Sequence, residues 1–541
     1  MIHKNEQELL SLGLPRKWTR ELSIRRETLV AITLGLFLLL LWYPLISVYE
    51  IDDAYITYCY ARNFAAGHGY SFNQGEFVEG ATSPLWTLLL AFISLAGLPL
   101  PAYARLLSGI CGVVITLLTV RISAKMNSRH RPAIVDFIPA ILLNVFPSLP
   151  YWTGSGMEIS FYAMLLLCAV LAGIQAKPCL TSVFLAILIL VRPEAPLIVA
   201  FFALDSLLET RSTKAVFRLI MPAFFVFLFQ LAFRVWYFGD LMPNTYYAKT
   251  GAGLWEQLTG GLYYNQQFVR TLLPSILPDA DWASLIEVPV FLAPAVFALS
   301  FSGYRILGLL VLANFFAVTV EGGDWMPGWR FWVTGLPLIY ILITYLAPPL
   351  VGWLAPLRLR KLIWPFTLML FLTFNLLLTY IDRFSPTGEL NPAKETQPVY
   401  SAVARVLAEH TSPKTPTALM DVGRVAFESN RPTIDISGLT DKFIAHSKGG
   451  FLNKHYSVNY ILQRGPIYVF IRPQFSIDRR ISADSRFKES YVKEGEILLN
   501  HYDAPELAVL EIYRKRGIYS PEHNAALLKL IHIYGKQLLR H

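Results

Sequence analysis

The chain has 541 residues, of which 54% are hydrophobic, 14% aromatic and only 16% charged, with a mean hydropathy of +0.44. Soluble domains carry roughly 25% charged residues, so this composition excludes a chain built only of water-exposed globular domains and makes a lipid bilayer the solvent for much of it. The net charge of +9 would suit nucleic acid, but the basic residues sit at the ends of apolar segments, which is positive-inside patterning and excludes a nucleic-acid partner.

The first apolar run begins near Leu29, after Arg16, Lys17, Arg20, Arg25 and Arg26, and ends without a small-residue cleavage site. It reads as a retained signal anchor with a cytoplasmic N-terminus. Apolar segments suited to a core about 30 Å thick fall at about 29–48, 103–121, 133–150, 157–175, 179–191, 195–208, 219–237, 287–302, 305–320, 332–347 and 362–381. The apolar segment 84–100 decides the topology. Laid in the interface instead of across the membrane, it puts every basic cluster in the cytoplasm: Arg121, Lys125, Arg129 and Arg131; Lys177; Arg211, Lys214 and Arg218; Arg305; and Arg358, Arg360 and Lys361. The expectation is an α-helical polytopic membrane protein of about eleven spans with its C-terminus outside. Three of the four cysteines (Cys111, Cys168, Cys179) lie in apolar runs and Cys59 in a polar loop, so all are expected to pack rather than form a disulfide framework.

That topology gathers the polar loops on the outer face: Asp52 and Asp53 with Glu76 and Glu79, Glu158, Arg192 and Glu194, residues 240–249 and residues 321–330. Ionisable residues beside a membrane are costly, so their collection on one side predicts an outward-facing cavity. Residues 1–381 form the membrane part with a large first outer loop at 49–102, and residues 382–398, polar and proline-rich, mark a linker. Beyond it, a helical pattern over 399–409, strand-like runs at 466–472 and 507–513, and an amphipathic helix over 521–539 predict a soluble α/β domain spanning 382–541.

Asp52 and Asp53 follow the first span directly. Adjacent carboxylates at a membrane boundary repel, which raises one pKa and suits it to remove a proton from a sugar hydroxyl. A structural role competes: Asp52 as helix cap, with Asp53 favourable in the first turn. The surrounding run, with Asp52 to Ile56, Arg62-Asn63, Gly67-His68-Gly69 and Val78-Glu79-Gly80-Ala81-Thr82-Ser83-Pro84-Leu85-Trp86, resembles the first extracytoplasmic loop of the glycosyltransferase C (GT-C) superfamily. The similarity is greatest to the branch containing the mycobacterial terminal β-arabinofuranosyltransferase. Residues 155–158, 243–249 and 322–331 look like the same branch, as do, more faintly, residues 421–423 and 434–439.

The resemblance implies a GT-C fold and transfer of a sugar, D-arabinofuranose, from a polyprenyl-phosphate donor to an extracytoplasmic glycan, lipid or protein acceptor. The setting it implies is a bacterial inner membrane with the site facing the periplasm. On that analogy Asp53, or else Asp52, is the base, and Arg330, Lys249 and Arg192 are candidates for the donor phosphate, arginine being able to grip it with two parallel hydrogen bonds. His68, Glu158, Asp324, Arg62 and Glu79 are candidate substrate contacts. Ser155 and Glu158 also fit a capping box, Arg192 and Glu194 fit a pair with each other, and the two glycines before Asp324 leave room for a ligand at the backbone. Tyr246, Tyr247, Trp325 and Trp329 suit either sugar stacking or the interfacial aromatic belt. The acidic pair is compatible with a divalent cation, but no fixed ligand set is visible. The competing readings are another sugar (mannose or aminoarabinose), a lipid-linked-sugar flippase, for which the related halves are missing, and a structural envelope partner.

Overall fold

The computed structural model describes residues 28–37, 40, 50–129, 131–251, 253–272, 284–324, 326–354, 397–499 and 509–518, with isolated positions at 370, 373–374, 377, 525–526 and 529. Most of the expected span at 362–381, of the linker and of the terminal helix, together with Trp325 and the basic residues at 16–26 and 358–361, lies outside the described residues.

The membrane part is helical. After α1 (Thr28–Phe37) come α2 (Asp52–Ala65), α3 (Pro84–Leu95), α4 (Leu100–Met126), α5 (Ile138–Val145), α6 (Ser148–Gly154), α7 (Ile159–Ile174), α8 (Pro178–Ile189), α9 (Ala195–Thr210), α10 (Thr213–Phe238), α11 (Asn244–Lys249), α12 (Leu254–Leu272), α13 (Ser284–Ala298), α14 (Ser302–Glu321) and α15 (Leu336–Leu354). Among the described residues, α4, α10 and α14 are long and apolar enough to cross a membrane alone, and the segments Ile134–Val145 and Ser148–Gly154 do so as a pair bent by 63°. That bend divides the expected span at 133–150. Pro147 accounts for it, because proline cannot donate to the preceding turn and disfavours helix in the residue before it. Helix α3 rises about 18 Å and packs chiefly on α2, the helix of the first outer loop.

Local chemistry sets the ends. The Ser212 hydroxyl accepts the Ala215 amide at 3.3 Å to open α10, and Gly239 closes it at φ +72°. Inside the bundle, Phe268 stacks on Trp332 with centroids 4.4 Å apart. Buried polar groups find partners between helices: the Asn265 amide donates to the Thr319 hydroxyl at 2.9 Å and its carbonyl accepts the Trp332 indole at 2.9 Å.

The C-terminal part begins with α16 (Gln397–His410) and holds a five-stranded sheet of β1 (Thr417–Leu419), β2 (Thr433–Asp435), β3 (Tyr468–Ile471), β4 (Tyr491–Leu498) and β5 (Val509–Lys515), in the order β2-β1-β3-β5-β4. Strands β2, β1 and β3 run parallel, with Ala418 beside both Ile434 and Val469, and β5 pairs antiparallel with β3 and β4. The runs expected at 466–472 and 507–513 are β3 and β5.

This part is welded to the segment that carries α2. A helix, α17 (Val422–Ser429), lies on α2: the Asp52 carboxylate accepts the amides of Gly423 and Arg424 at 2.7 and 2.9 Å, so a side chain fills the N-terminus of a helix from another part of the chain. A Cβ on Gly423 would sit 2.0 Å from the Asp52 carbonyl oxygen, so only glycine permits the approach. At the other end, Arg62 donates to the Phe427 carbonyl at 2.6 Å and lies over its ring at 5.1 Å. The Asn73 side chain exchanges bonds with Thr433 at 2.9 Å in both directions, and buried Lys454 donates to the Tyr247 and Thr250 carbonyls at 2.7 and 2.9 Å. Ile56, Tyr60 and Phe72 share one apolar core with Leu419, Val422 and Phe470. Cys59, expected in a polar loop, is buried in that core because α17 and its sheet cover the helix that carries it.

The clamp predicts two effects. Gly423→Ala is expected to lift α17 from α2, and Asp52→Ala to cost about 1–3 kcal/mol by orphaning two amides. Both would be read as faster hydrogen exchange over residues 422–429; unchanged exchange in both variants would show that the clamp does not hold this part in place.

Candidate active site

Charged side chains converge where α2, α7, α9 and α14 begin or end. Arg330 is buried against Asp324, with Nη2 donating to Oδ1 at 2.9 Å and Nε lying 2.9 Å from Oδ2. Its third partner is the Met326 sulfur at 3.3 Å. Arg192, also buried, donates to Glu158 at 3.0 Å and pairs with Glu194, as the sequence suggested. The Phe331 ring lies between the two guanidiniums, 4.9 Å from Arg330 and 5.4 Å from Arg192.

Asp53 faces this group from the first turn of α2, with Lys249, Arg330 and Asp324 as charged neighbours. Its carboxylate accepts no hydrogen bond among the described residues. Burial pushes its pKa up, Lys249 and Arg330 pull it down, and the balance stays above the ordinary carboxylate value. Lys249 opens onto a cavity, and partial desolvation there and the nearby Arg330 lower its pKa, against Asp324, Asp53 and Glu321. Lys249 has no ion-pair partner among the described residues, and its ammonium stands 5.9 Å from the Phe451 ring of the C-terminal part.

Of these groups Lys249 and Asp324 line a cavity of about 1310 Å³, whose walls also include Glu321 and Trp329, Tyr263 and Gln267 of α12, and Gly449, Gly450, Phe451 and Asn453 of the C-terminal part. The loop from α14 to Arg330 is bent by left-handed residues: Gly322 (φ +86°), Gly323 (φ +78°), Gly328 (φ +79°) and, without a glycine's freedom, Trp329 (φ +55°). A non-glycine residue there stores about 1–3 kcal/mol of strain. It is held by the Gly328 carbonyl, which accepts from Ser148 Oγ at 2.7 Å and Trp152 Nε1 at 2.8 Å. The two glycines before Asp324 were expected to leave room for a ligand. Both line the cavity, and on its other side Gly323 packs so closely on α12 that a Cβ there would lie 2.6 Å from the Tyr264 side chain.

Of the residues singled out in the sequence, the fold brings Asp53, Glu158, Arg192, Lys249, Asp324 and Arg330 together. The others lie elsewhere. Asp52 and Arg62 are engaged by α17; burial and nearby Asp421 push Asp52 up to about 7, and both its oxygens are occupied by amides. The adjacent aspartates therefore serve different partners. Glu79 accepts two bonds from Arg234 of α10, one at 3.0 Å, and its carbonyl accepts the Asn244 amide at 3.0 Å, so it fixes the segment carrying Lys249. His68 is exposed beyond the far end of α2, about 20 Å along the helix from Asp53. The capping box is corrected: Glu158 occupies the N-cap position itself and turns to Arg192, while the Ser155 hydroxyl takes the Met157 amide at 3.1 Å. Tyr247 stacks on His446 at 4.1 Å, and Trp329 packs against Tyr264 at 5.2 Å. No group of three or more His, Cys, Asp or Glu among the described residues is placed to hold a metal ion.

Sequence reasoning missed Glu321, which lines the cavity and interacts with Glu194, Arg192, Arg330 and Lys249. Its signal was a lone carboxylate ending an apolar run just before two glycines. It also missed Arg234 and Lys454, whose partners lie 155 and 207 positions away.

A family model described as a domain of unknown function (DUF8728) matches residues 389–516. The chain is 30% identical over 259 residues to the terminal β-(1→2)-arabinofuranosyltransferase of Mycobacterium tuberculosis, a match covering 44% of this chain and 40% of that protein. It is 26% identical over 353 residues to the protein of the same name from Corynebacterium glutamicum, covering 58% of this chain and 50% of that one. The chain thus spans half or less of the length of these curated relatives. Among solved structures, ArnT from Cupriavidus metallidurans bound to undecaprenyl phosphate aligns over 91% of this chain and 99% of its own, with a TM-score of 0.50 at 13% identity, a likeness of fold. The resemblance read from the motifs is borne out: this sequence has terminal β-arabinofuranosyltransferases as relatives, and the chain has the GT-C fold.

Proposed function

We propose that the chain is a membrane glycosyltransferase that moves D-arabinofuranose from a polyprenyl-phosphate donor to an extracytoplasmic acceptor glycan, lipid or protein. The observation that carries this reading is Asp53: a carboxylate with no hydrogen-bond donor of its own among the described residues, with Lys249 and Asp324, which line a large cavity, and Arg330 as its charged neighbours. The acceptor hydroxyl oxygen attacks the anomeric carbon and forms the new C–O bond, its proton passing to Asp53. The bond from that carbon to the donor phosphate oxygen breaks, and the departing phosphate takes the electron pair. Lys249 is the cation most available to meet that charge, because Asp324 already holds Arg330 in one orientation. The prenyl chain lies in the bilayer, which keeps the donor at the site.

The sidedness is supported by the order of the helices. Helices α4, α7 and α9 start at the charged site and run to Arg121 and Lys125, to Lys177 and to Arg211; α8, α10 and α14 return from the opposite end to Arg192, Asp240 and Glu321. That opposite end is tied by Arg305, paired with Asp205 at 2.8 Å and Glu209 at 2.9 Å, and by the Tyr304 hydroxyl, 3.3 Å from Asn127. The positive-inside rule puts the basic end in the cytoplasm. The cavity and C-terminal part then face the periplasm of a bacterial inner membrane, in an arrangement of about eleven spans.

Full-length protein in nanodiscs, given polyprenyl-phosphoryl arabinofuranose and an arabinan oligosaccharide, is expected to transfer the sugar, and Asp53→Asn to lower kcat by about 10²–10⁴-fold. Equal rates would remove Asp53 as the base, and no turnover with any prenyl-linked pentose or hexose would remove the class. The kcat/KM profile is expected to be a narrow bell. Activity falls toward acid once Asp53 takes a proton, above the ordinary carboxylate range, and falls toward base as Lys249 loses one below the ordinary lysine range. A flat acid limb down to the usual aspartate pKa would contradict the raised value for Asp53.

A further inference from the structure

A second cavity, of about 330 Å³, lies between the last turns of α4 and α7. Basic residues Arg121, Lys125 and Arg129 form one side, and Leu117, Leu118 and Leu171 the other. It is at the opposite end of the bundle from the candidate active site: Leu171 follows Glu158, the N-cap of α7, by about 20 Å of helix. Basic residues that merely obey the positive-inside rule stand solvated among headgroups, whereas these three are half-buried around a half-open pocket. Arg129 is fixed by the buried carboxylate of Asp136 at 3.1 Å, and Asp136 is held in turn by the Tyr345 hydroxyl and the Ala133 amide. Arg121 donates to the Thr28 hydroxyl, which orients its guanidinium. Lys125 has neither an ion pair nor a hydrogen bond among the described residues.

A basic rim over an apolar wall matches one kind of molecule, an amphiphile with an anionic head. We propose that this pocket binds the phosphodiester headgroup of an anionic phospholipid, with Lys125 meeting the phosphate and the leucines receiving the start of an acyl chain. The assignment does not depend on the sugar-transfer reading, since it concerns the far end of the helices.

The test is native mass spectrometry of the full chain released from nanodiscs of phosphatidylcholine containing phosphatidylglycerol. Wild type is expected to retain phosphatidylglycerol in preference to phosphatidylcholine. Lys125→Glu is expected to lower that retention by about tenfold, and Lys125→Arg to keep it within about twofold. Lys214→Glu, at the same end of the bundle but outside the pocket, serves as control. Melting of all variants in phosphatidylcholine alone separates lost binding from lost folding. No preference for phosphatidylglycerol, or equal losses in Lys125→Glu and Lys214→Glu, would overturn the proposal. Displacement of the lipid by millimolar inorganic phosphate would overturn the lipid assignment in favour of a free anion.

Discussion

A charge placed beside hydrocarbon persists only if another charge or a strong dipole meets it, and that requirement orders the outer end of this helical bundle. Arg192 is met by Glu158 and Glu194, Arg330 by Asp324, Arg234 by Glu79, and Asp52 by a helix N-terminus. The contacts of Arg192 with Glu158, Arg234 with Glu79 and Asp52 with Gly423 join segments 34, 155 and 371 positions apart, so satisfying these charges also fixes which helix ends stand together. Breaking one partner of such a pair costs more than the pair contributes, because the survivor is left buried and unmet. Asp53 and Lys249 are left without this protection, and both have pKa values displaced toward neutrality by desolvation. Groups poised in that way are suited to exchange protons and to meet an incoming anion.

The carboxylates of this charged group, Asp53, Glu158, Glu194, Glu321 and Asp324, outnumber the cations Arg192, Lys249 and Arg330. A site with this balance resists a further negative charge unless a proton is retained on one of the acids. On the proposed reading, negative charge that builds on the departing phosphate favours the proton that Asp53 takes from the acceptor, so leaving-group departure and proton capture would belong to one electrostatic event.

The membrane helices were legible in the sequence because hydropathy reports burial in lipid whatever the tertiary contacts, and the charged loops showed which helix ends group together. Asp53 was legible as one of an adjacent pair, but the division of work with Asp52 was not: it depends on Gly423, 371 positions away. Cys59 read as a loop residue because its polar neighbours are covered by the C-terminal part, a burial no local pattern reports. Strands β1 and β2 are three residues each, too short for alternation, and β4 carries Lys493, Glu494 and Glu496, which read as solvated chain. Glu321 looked like an ordinary end of a span; only the return of α12 against the glycines beside it brings it onto the cavity.

The clamp between Asp52 and α17 has a consequence for how the molecule is made. Synthesis proceeds from the N-terminus, and segments fold as they emerge. The first outer loop leaves the membrane early, yet the amides that occupy Asp52 arrive only with residues 423 and 424. Until then the opening turn of α2, with Asp53 in it, lacks its lid. The candidate site is thus completed among the last events of biogenesis, and a chain stalled partway through insertion carries Asp53 without the scaffold that sets its direction.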